Sequence, residues 1–218
     1  MAFPGRGSAK QVLIAGAAGN IETVIDAPAS GDAPRGIALA GHPHPLYGGT
    51  LDNKVVQTLA RTFAELGYVA LRPNFRGVGA SEGEHDKGDG ETGDMLAVLA
   101  YAKQRFGALP VVLTGFSFGA FVQTRVVRQL IEQGSPPERM VLVGLAVGRL
   151  ESDRNYDTGA VPADTILIHG ELDETVPLAN VLAWAEAQGL KVNVIPEADH
   201  FFHRKLGEIK SIIKKQWQ

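Results

Sequence analysis

Gly115-Phe116-Ser117-Phe118-Gly119 sets a serine between two glycines, at the end of the apolar run Val111–Thr114 and ahead of the helical run Ala120–Glu132. A G-x-S-x-G pattern between strand and helix can hold a serine hydroxyl out on a sharp turn, the glycines leaving room for the neighbouring strand and helix. The next backbone N–H, that of Phe118, would lie at the amino end of the helix, where the dipole favours a developing oxyanion. An ordinary tight turn fits the same five residues, so the rest of the chain must decide. A hydroxyl is a poor nucleophile at neutral pH and needs a base, which itself needs an orienting acid. Both follow in that order. Asp173 lies in His169-Gly170-Glu171-Leu172-Asp173-Glu174-Thr175-Val176-Pro177 behind the run Thr165–Ile168, and His200 lies in Ala198-Asp199-His200-Phe201 behind Val192–Ile195. Glu171, Glu174 and Asp199 compete with Asp173 as the acid, and Asp199, adjacent to the base, is expected to point away from it.

These residues must be positioned by strands. The runs Gln11–Ala15 and Ile21–Ala27 read as a hairpin around Gly19-Asn20, and Gly36–Ala40, Tyr68–Arg72, Val111–Thr114, Met140–Leu145, Thr165–Ile168 and Val192–Ile195 recur at βα spacing. Helical periodicity fills Asn53–Leu66, with Asp52 as the expected cap, then Asp94–Phe106, Ala120–Glu132 and Leu178–Gln188. A last amphipathic segment carries Phe202, Leu206, Ile209, Ile213 and Trp217 on one face. Alternation of short β runs with helices predicts an α/β protein with a mostly parallel sheet. The carboxyl ends of parallel strands share one edge, so Ser117, Asp173 and His200 are expected to converge. Gly79–Glu91 and Arg149–Ala163 read as surface loops.

Composition excludes several classes. The 218 residues carry 44% hydrophobic and 21% charged side chains with a net charge of −3, which suits one globular domain over 1–218 and argues against nucleic acid as a partner. With no cysteine there is no disulfide framework, no thiolate metal site and no cysteine nucleophile, as expected of a cytoplasmic protein. No run approaches the roughly 20 apolar residues of a membrane helix. The short run Val12–Ala18 behind Arg6 and Lys10 reads as strand rather than export signal. No metal is expected, since His42 and His44 lack a third ligand at suitable spacing; their side chains shape a loop. No cofactor is expected either, because the third glycine of a dinucleotide fingerprint at Gly77-Val78-Gly79 is replaced by Glu82. His169 is expected to pack at its strand end and His203 to be solvated on the last helix, while His85 sits in a charged loop.

Across essentially its whole length the chain resembles an α/β-hydrolase. The resemblance rests on Gly115–Gly119, His169–Pro177 and Ala198-Asp199-His200-Phe201. With Gly41-His42-Pro43-His44-Pro45-Leu46-Tyr47-Gly48-Gly49 it is similar to small bacterial hydrolases that carry a His-Pro-His-Pro loop, relatives of dienelactone hydrolases with serine in place of cysteine. The resemblance implies a mostly parallel sheet of about eight strands, helices on both faces and no large lid. It makes Ser117 the nucleophile, His200 the base and acid, and Asp173 the orienter. Proline at 43 has no N–H, so the His44 N–H joins that of Phe118 in the oxyanion hole, with the Tyr47 side chain as the alternative contributor. Tyr47, Phe116 and Phe201 are candidates to line the substrate pocket. Arg72-Pro73-Asn74-Phe75-Arg76-Gly77-Val78-Gly79-Ala80-Ser81 resembles a structural turn of the superfamily in which Asn74 stands for the usual aspartate. The implied activity is hydrolysis of small-to-medium carboxylic esters through an acyl-enzyme. A thioesterase or peptidase would use the same residues, and a non-catalytic module would keep the fold without turnover.

Overall fold

A computed structural model describes residues 9–150 and 154–217. Strands β1 (Ala9–Gly16) and β2 (Gly19–Asp26) form the expected hairpin. Gly16 pairs with Gly19, so the turn is Ala17-Ala18, not Gly19-Asn20. Gly19 bends the chain at φ 120°, a conformation open to glycine, and Asn20 is drawn into the ladder. The apolar run Val12–Ala18 is thus mostly strand, and Arg6 lies outside the described residues.

The remaining strands are β3 (Gly36–Gly41), β4 (Tyr68–Pro73), β5 (Val111–Phe116), β6 (Arg139–Val143), β7 (Gly148–Arg149), β8 (Asn155–Tyr156), β9 (Ile166–Gly170) and β10 (Val192–Ile195). Eight of the ten described strands build one sheet in the order β1-β2-β4-β3-β5-β6-β9-β10, antiparallel at β1-β2 and β2-β4 and parallel from β4 to β10. Helices are α1 (Lys54–Glu65), α2 (Asp89–Phe106), α3 (Phe118–Glu132), α4 (Leu178–Glu186) and α5 (Leu206–Gln216). The two-residue period of the strands divides the core into two layers. Ile37 and Leu39 pack with Met95, Val98, Val122 and Val126 of α2 and α3. Ala38 and Ala40 pack with Leu59 and Phe63 of α1 and with Ile209 and Ile213 of α5. This is the expected α/β architecture.

Several boundaries move. The cap of α1 is Asn53, not Asp52: the Asn53 side-chain oxygen accepts the Val55 and Val56 N–H groups. Helix α2 starts at Asp89 rather than Asp94, because the buried Glu91 carboxylate accepts the Asp86 and Gly88 N–H groups at 3.0 and 2.8 Å. The loop Gly79–Glu91 therefore gives up its last three residues to the helix. The loop Arg149–Ala163 contains the small β7-β8 hairpin, and residues 151–153 within it lie outside the described set. Phe202 is fully buried but precedes α5, in a turn at φ 54°. Among the described residues no helix is long and apolar enough to cross a membrane.

Asn74 acquires a physical account. Its Oδ1 accepts the Leu51 N–H at 2.8 Å and its Nδ2 donates to Glu22 Oε2 at 2.7 Å. An aspartate here would set two carboxylates against each other in a nearly buried site. Asn74→Asp is therefore expected to cost about 2–3 kcal/mol at pH 7. The added carboxylate would titrate above its unfolded value, so the loss should shrink as pH falls into the carboxylate range. Urea unfolding at pH 7 and pH 5 checks this, and Glu22→Gln in the same background should restore stability.

Candidate active site

Strand β5 delivers the chain to Ser117 at φ 55° and ψ −118°, a left-handed conformation strained for a residue with a side chain. The flanking glycines are required by space. A Cβ on Gly119 would lie 2.3 Å from the Gly41 carbonyl carbon, and one on Gly115 would lie 2.6 Å from the Gly119 carbonyl carbon. The elbow thus presses β5, α3 and the end of β3 together and presents Ser117 at the carboxyl edge of the sheet.

At that edge the structure brings Ser117, Asp173 and His200 together. His200 Nε2 lies 3.0 Å from Ser117 Oγ, and His200 Nδ1 lies 2.7 Å from Asp173 Oδ2. The other oxygen of Asp173, Oδ1, accepts the Thr175 and Val176 N–H groups at 2.9 and 2.7 Å, which fixes the carboxylate plane. The competing acids are engaged elsewhere or exposed. Asp199 pairs with the His203 ring and accepts the His203 N–H, Glu171 accepts the Glu197 N–H, and Glu174 faces solvent. His203 is exposed, as expected, but precedes α5.

The His-Pro-His-Pro loop runs from the end of β3 into a 3-10 turn, Pro45–Tyr47, capped by the His44 side chain. His42 is fully buried: Nδ1–H donates to the Pro43 carbonyl at 2.6 Å and Nε2 accepts the Phe75 N–H at 2.8 Å. Both ring nitrogens are thereby committed to tying this loop to the one after β4. Among the described residues no group of three or more side chains could hold a metal ion. The N–H groups of His44 and Phe118 have no hydrogen-bond partner among the described residues, which leaves both donors for a ligand.

Phe118 is buried with its ring 4.9 Å from His44 and 5.3 Å from His85. Of the three pocket candidates, Tyr47 and Phe201 are exposed. Phe116 is fully buried with its ring 4.9 Å from that of His200, so it backs the histidine and is withdrawn from any open pocket. Strand parity explains this, since Val112 and Phe116 share the face packed by α1 and α5.

Three neighbours were not singled out for the site from sequence: His85, whose ring stacks 4.6 Å from His44; Arg154, whose guanidinium sits 4.6 Å over Tyr47; and Tyr156, beside Phe118. All three reach the site through tertiary contacts of loops that carry no local signature. His169 packs at its strand end as expected, and it also approaches Asp173, at a four-residue spacing that was visible in the sequence.

Burial pushes the His42 imidazole down to about 3, and burial with the nearby His85 and Arg154 charges pushes His44 down to about 4. Both folded values lie below that of the unfolded chain, which therefore binds more protons from pH 6.5 downward. Stability should fall with pH through that window, by up to about 1.4 kcal/mol per pH unit from His42 alone. Urea midpoints between pH 7 and pH 4 measure the slope. His42→Gln should flatten it by that amount, and an unchanged slope would place the acid sensitivity elsewhere.

A family model described as alpha/beta hydrolase fold matches residues 44–145. A solved structure from Xanthomonas campestris, XC6422, described as an a/b serine hydrolase without lid, shares 31% identity and a TM-score of 0.85, covering 98% of this chain and 94% of its own. The chain belongs to the α/β-hydrolase family. It is also 33% identical to the uncharacterized protein RP471 of Rickettsia prowazekii over 93% of this chain and 86% of that protein. The lysophosphatidylserine lipase ABHD12 of Danio rerio is 35% identical over 47% of this chain, a match spanning 28% of the lipase. The hydrolase is of the small lidless bacterial type, like XC6422. Only residues 144–165 separate β6 from β9, where a lid would be inserted.

Proposed function

We propose that this serine hydrolase cleaves small-to-medium carboxylic esters through a covalent acyl-enzyme. The observation that carries the reading is the unbroken contact from Asp173 Oδ2 to His200 Nδ1 at 2.7 Å and from His200 Nε2 to Ser117 Oγ at 3.0 Å. His200 takes the Ser117 proton as Oγ attacks the ester carbonyl. The Phe118 and His44 N–H groups hold the oxyanion, and His200 passes its proton to the departing alkoxide. Water then attacks the acyl-enzyme by the same steps in reverse, releasing the acid and restoring Ser117. Every proton moves through His200, and the cycle calls for no cofactor.

Open access supports small, dispersed substrates. Tyr47 and Phe201 are 63% and 48% exposed. The lipase among its relatives supports ester chemistry. The absence of cysteine and of a basic field fits a cytoplasmic enzyme whose partner is a small molecule rather than nucleic acid or membrane.

The test is hydrolysis of a p-nitrophenyl ester series from acetate to laurate, with Ser117→Ala as control and organophosphonate labelling of Ser117 alongside. Turnover with a short-to-medium optimum, lost in the variant, is expected. Labelling without ester turnover would redirect the chemistry to a thioester or peptide, and neither labelling nor turnover would make the chain a binding module.

A further inference from the structure

A second imidazole reaches the acid of the proposed triad. His169, on β9, is fully buried, and its Nε2 lies 2.9 Å from the Val176 carbonyl oxygen and 3.3 Å from Asp173 Oδ2. Both neighbours are acceptors, so Nε2 carries the ring proton; it donates to the Val176 carbonyl and lies beside the Asp173 carboxylate at 3.3 Å. The other nitrogen, Nδ1, is buried with no hydrogen-bond partner. An aliphatic side chain would fill this space without burying that orphan nitrogen, so what the imidazole adds here is its Nε2–H.

We propose that His169 is a positioning residue for the hydrolysis, its Nε2–H held by the Val176 carbonyl so that its dipole lies 3.3 Å from Asp173 Oδ2, where it helps to hold that carboxylate toward His200 and offsets part of its charge. The inference rests on the reading of Asp173 as the group that orients His200. Asp173 then has two backbone N–H groups on Oδ1, the His200 imidazole on Oδ2 at 2.7 Å, and the His169 Nε2 beside Oδ2 at 3.3 Å. The Oδ1 pair anchors one oxygen, and the His169 dipole faces the other beside His200. Burial keeps His169 below the ordinary histidine range and therefore neutral, so it supplies a fixed dipole rather than a second positive charge.

The titratable groups facing His169 are Asp173, from the loop after β9, and His200, from the loop after β10. His200 in turn meets Ser117 at the elbow, with the Phe116 and Phe201 rings against it. The electrostatic consequence has a definite sign. The positive end of the Nε2–H dipole beside Oδ2 offsets part of the negative charge that Asp173 would otherwise direct at the His200 imidazolium. Removing it strengthens the attraction and raises the His200 titration midpoint, while the less constrained carboxylate slows turnover.

The experiment compares His169→Leu, which lacks the donor, with His169→Gln, whose amide Nε2 can restore it. His200 is titrated through its Cε1–H signal in protein labelled with ¹³C-histidine, assigned by its loss in His200→Ala; kcat and KM are measured on p-nitrophenyl butyrate. His169→Leu is expected to raise the midpoint by roughly 0.5–1 pH unit and to lower kcat about tenfold with KM within about twofold. His169→Gln should return both toward wild type. An unmoved midpoint in His169→Leu, or equal impairment of the two variants, would overturn the proposal. Should His169→Leu not fold, His169→Met, which also lacks a donor, replaces it in the same comparison. The titration needs no turnover. A shifted midpoint without ester hydrolysis would sustain the His169 pairing and remove the esterase reading, whereas hydrolysis with an unmoved midpoint would do the reverse.

Discussion

Ser117→Ala and His200→Ala are each expected to lower kcat on a p-nitrophenyl ester by about 10⁵-fold, and the double variant by no more than either alone. The two residues act as one device at 3.0 Å: the hydroxyl without a base barely attacks, and the base without a hydroxyl has nothing to deprotonate. Under the proposed mechanism, what survives in each variant is the turnover that the Phe118 and His44 N–H groups would support by binding and polarising the carbonyl. Additive losses in the double variant would mean that the two side chains serve separate steps. Activity close to wild type in either single variant would remove both from the mechanism.

The same serine ties activity to stability. At φ 55° and ψ −118° an L side chain costs about 1–3 kcal/mol of backbone strain, while glycine adds about 0.5–1 kcal/mol of unfolded-state entropy. Ser117→Gly should therefore be inactive and about 1 kcal/mol more stable than Ser117→Ala, which retains the strain. Urea midpoints of the two inactive variants isolate this effect from any loss of contacts to His200.

The convergence of Ser117, Asp173 and His200 was legible because buried parallel strands read as continuous apolar runs whose carboxyl ends share an edge. Val111–Thr114 and Val192–Ile195 lie within the strands they announce and Thr165–Ile168 overlaps its strand from Ile166, and each is followed by its polar residue in a short loop. Illegible features depend on contacts between distant segments. The start of α2 is decided by the Glu91 carboxylate folding back on Asp86 and Gly88 in a Gly-rich, charged stretch whose composition reads as loop. Asn74 makes sense only beside Glu22, across 52 residues. His85 is brought against His44 by the fold of its loop, with no periodicity to announce it. The inward face of Phe116 follows from strand parity alone, so that much could have been read in advance.

Asp173→Asn is expected to reduce kcat/KM by about 10⁴-fold with little change in folding, whereas Asp199→Asn should change it less than about twofold. The argument is one of tautomers. Thr175 and Val176 both donate to Asp173 Oδ1, so an asparagine at 173 must keep its carbonyl oxygen there and turn its NH₂ toward His200. His200 Nδ1 would then have to accept, which moves the ring proton to Nε2 and points an N–H at the Ser117 oxygen. The hydroxyl would face a donor instead of a base, and the imidazolium formed in the reaction would lose its counter-charge at 2.7 Å. Asp199 has no such leverage, because its carboxylate is taken up by His203 on the solvent side. Steady-state kinetics of the two variants on one ester decide between the acids: a crippled Asp199→Asn beside an active Asp173→Asn would reassign the orienting role.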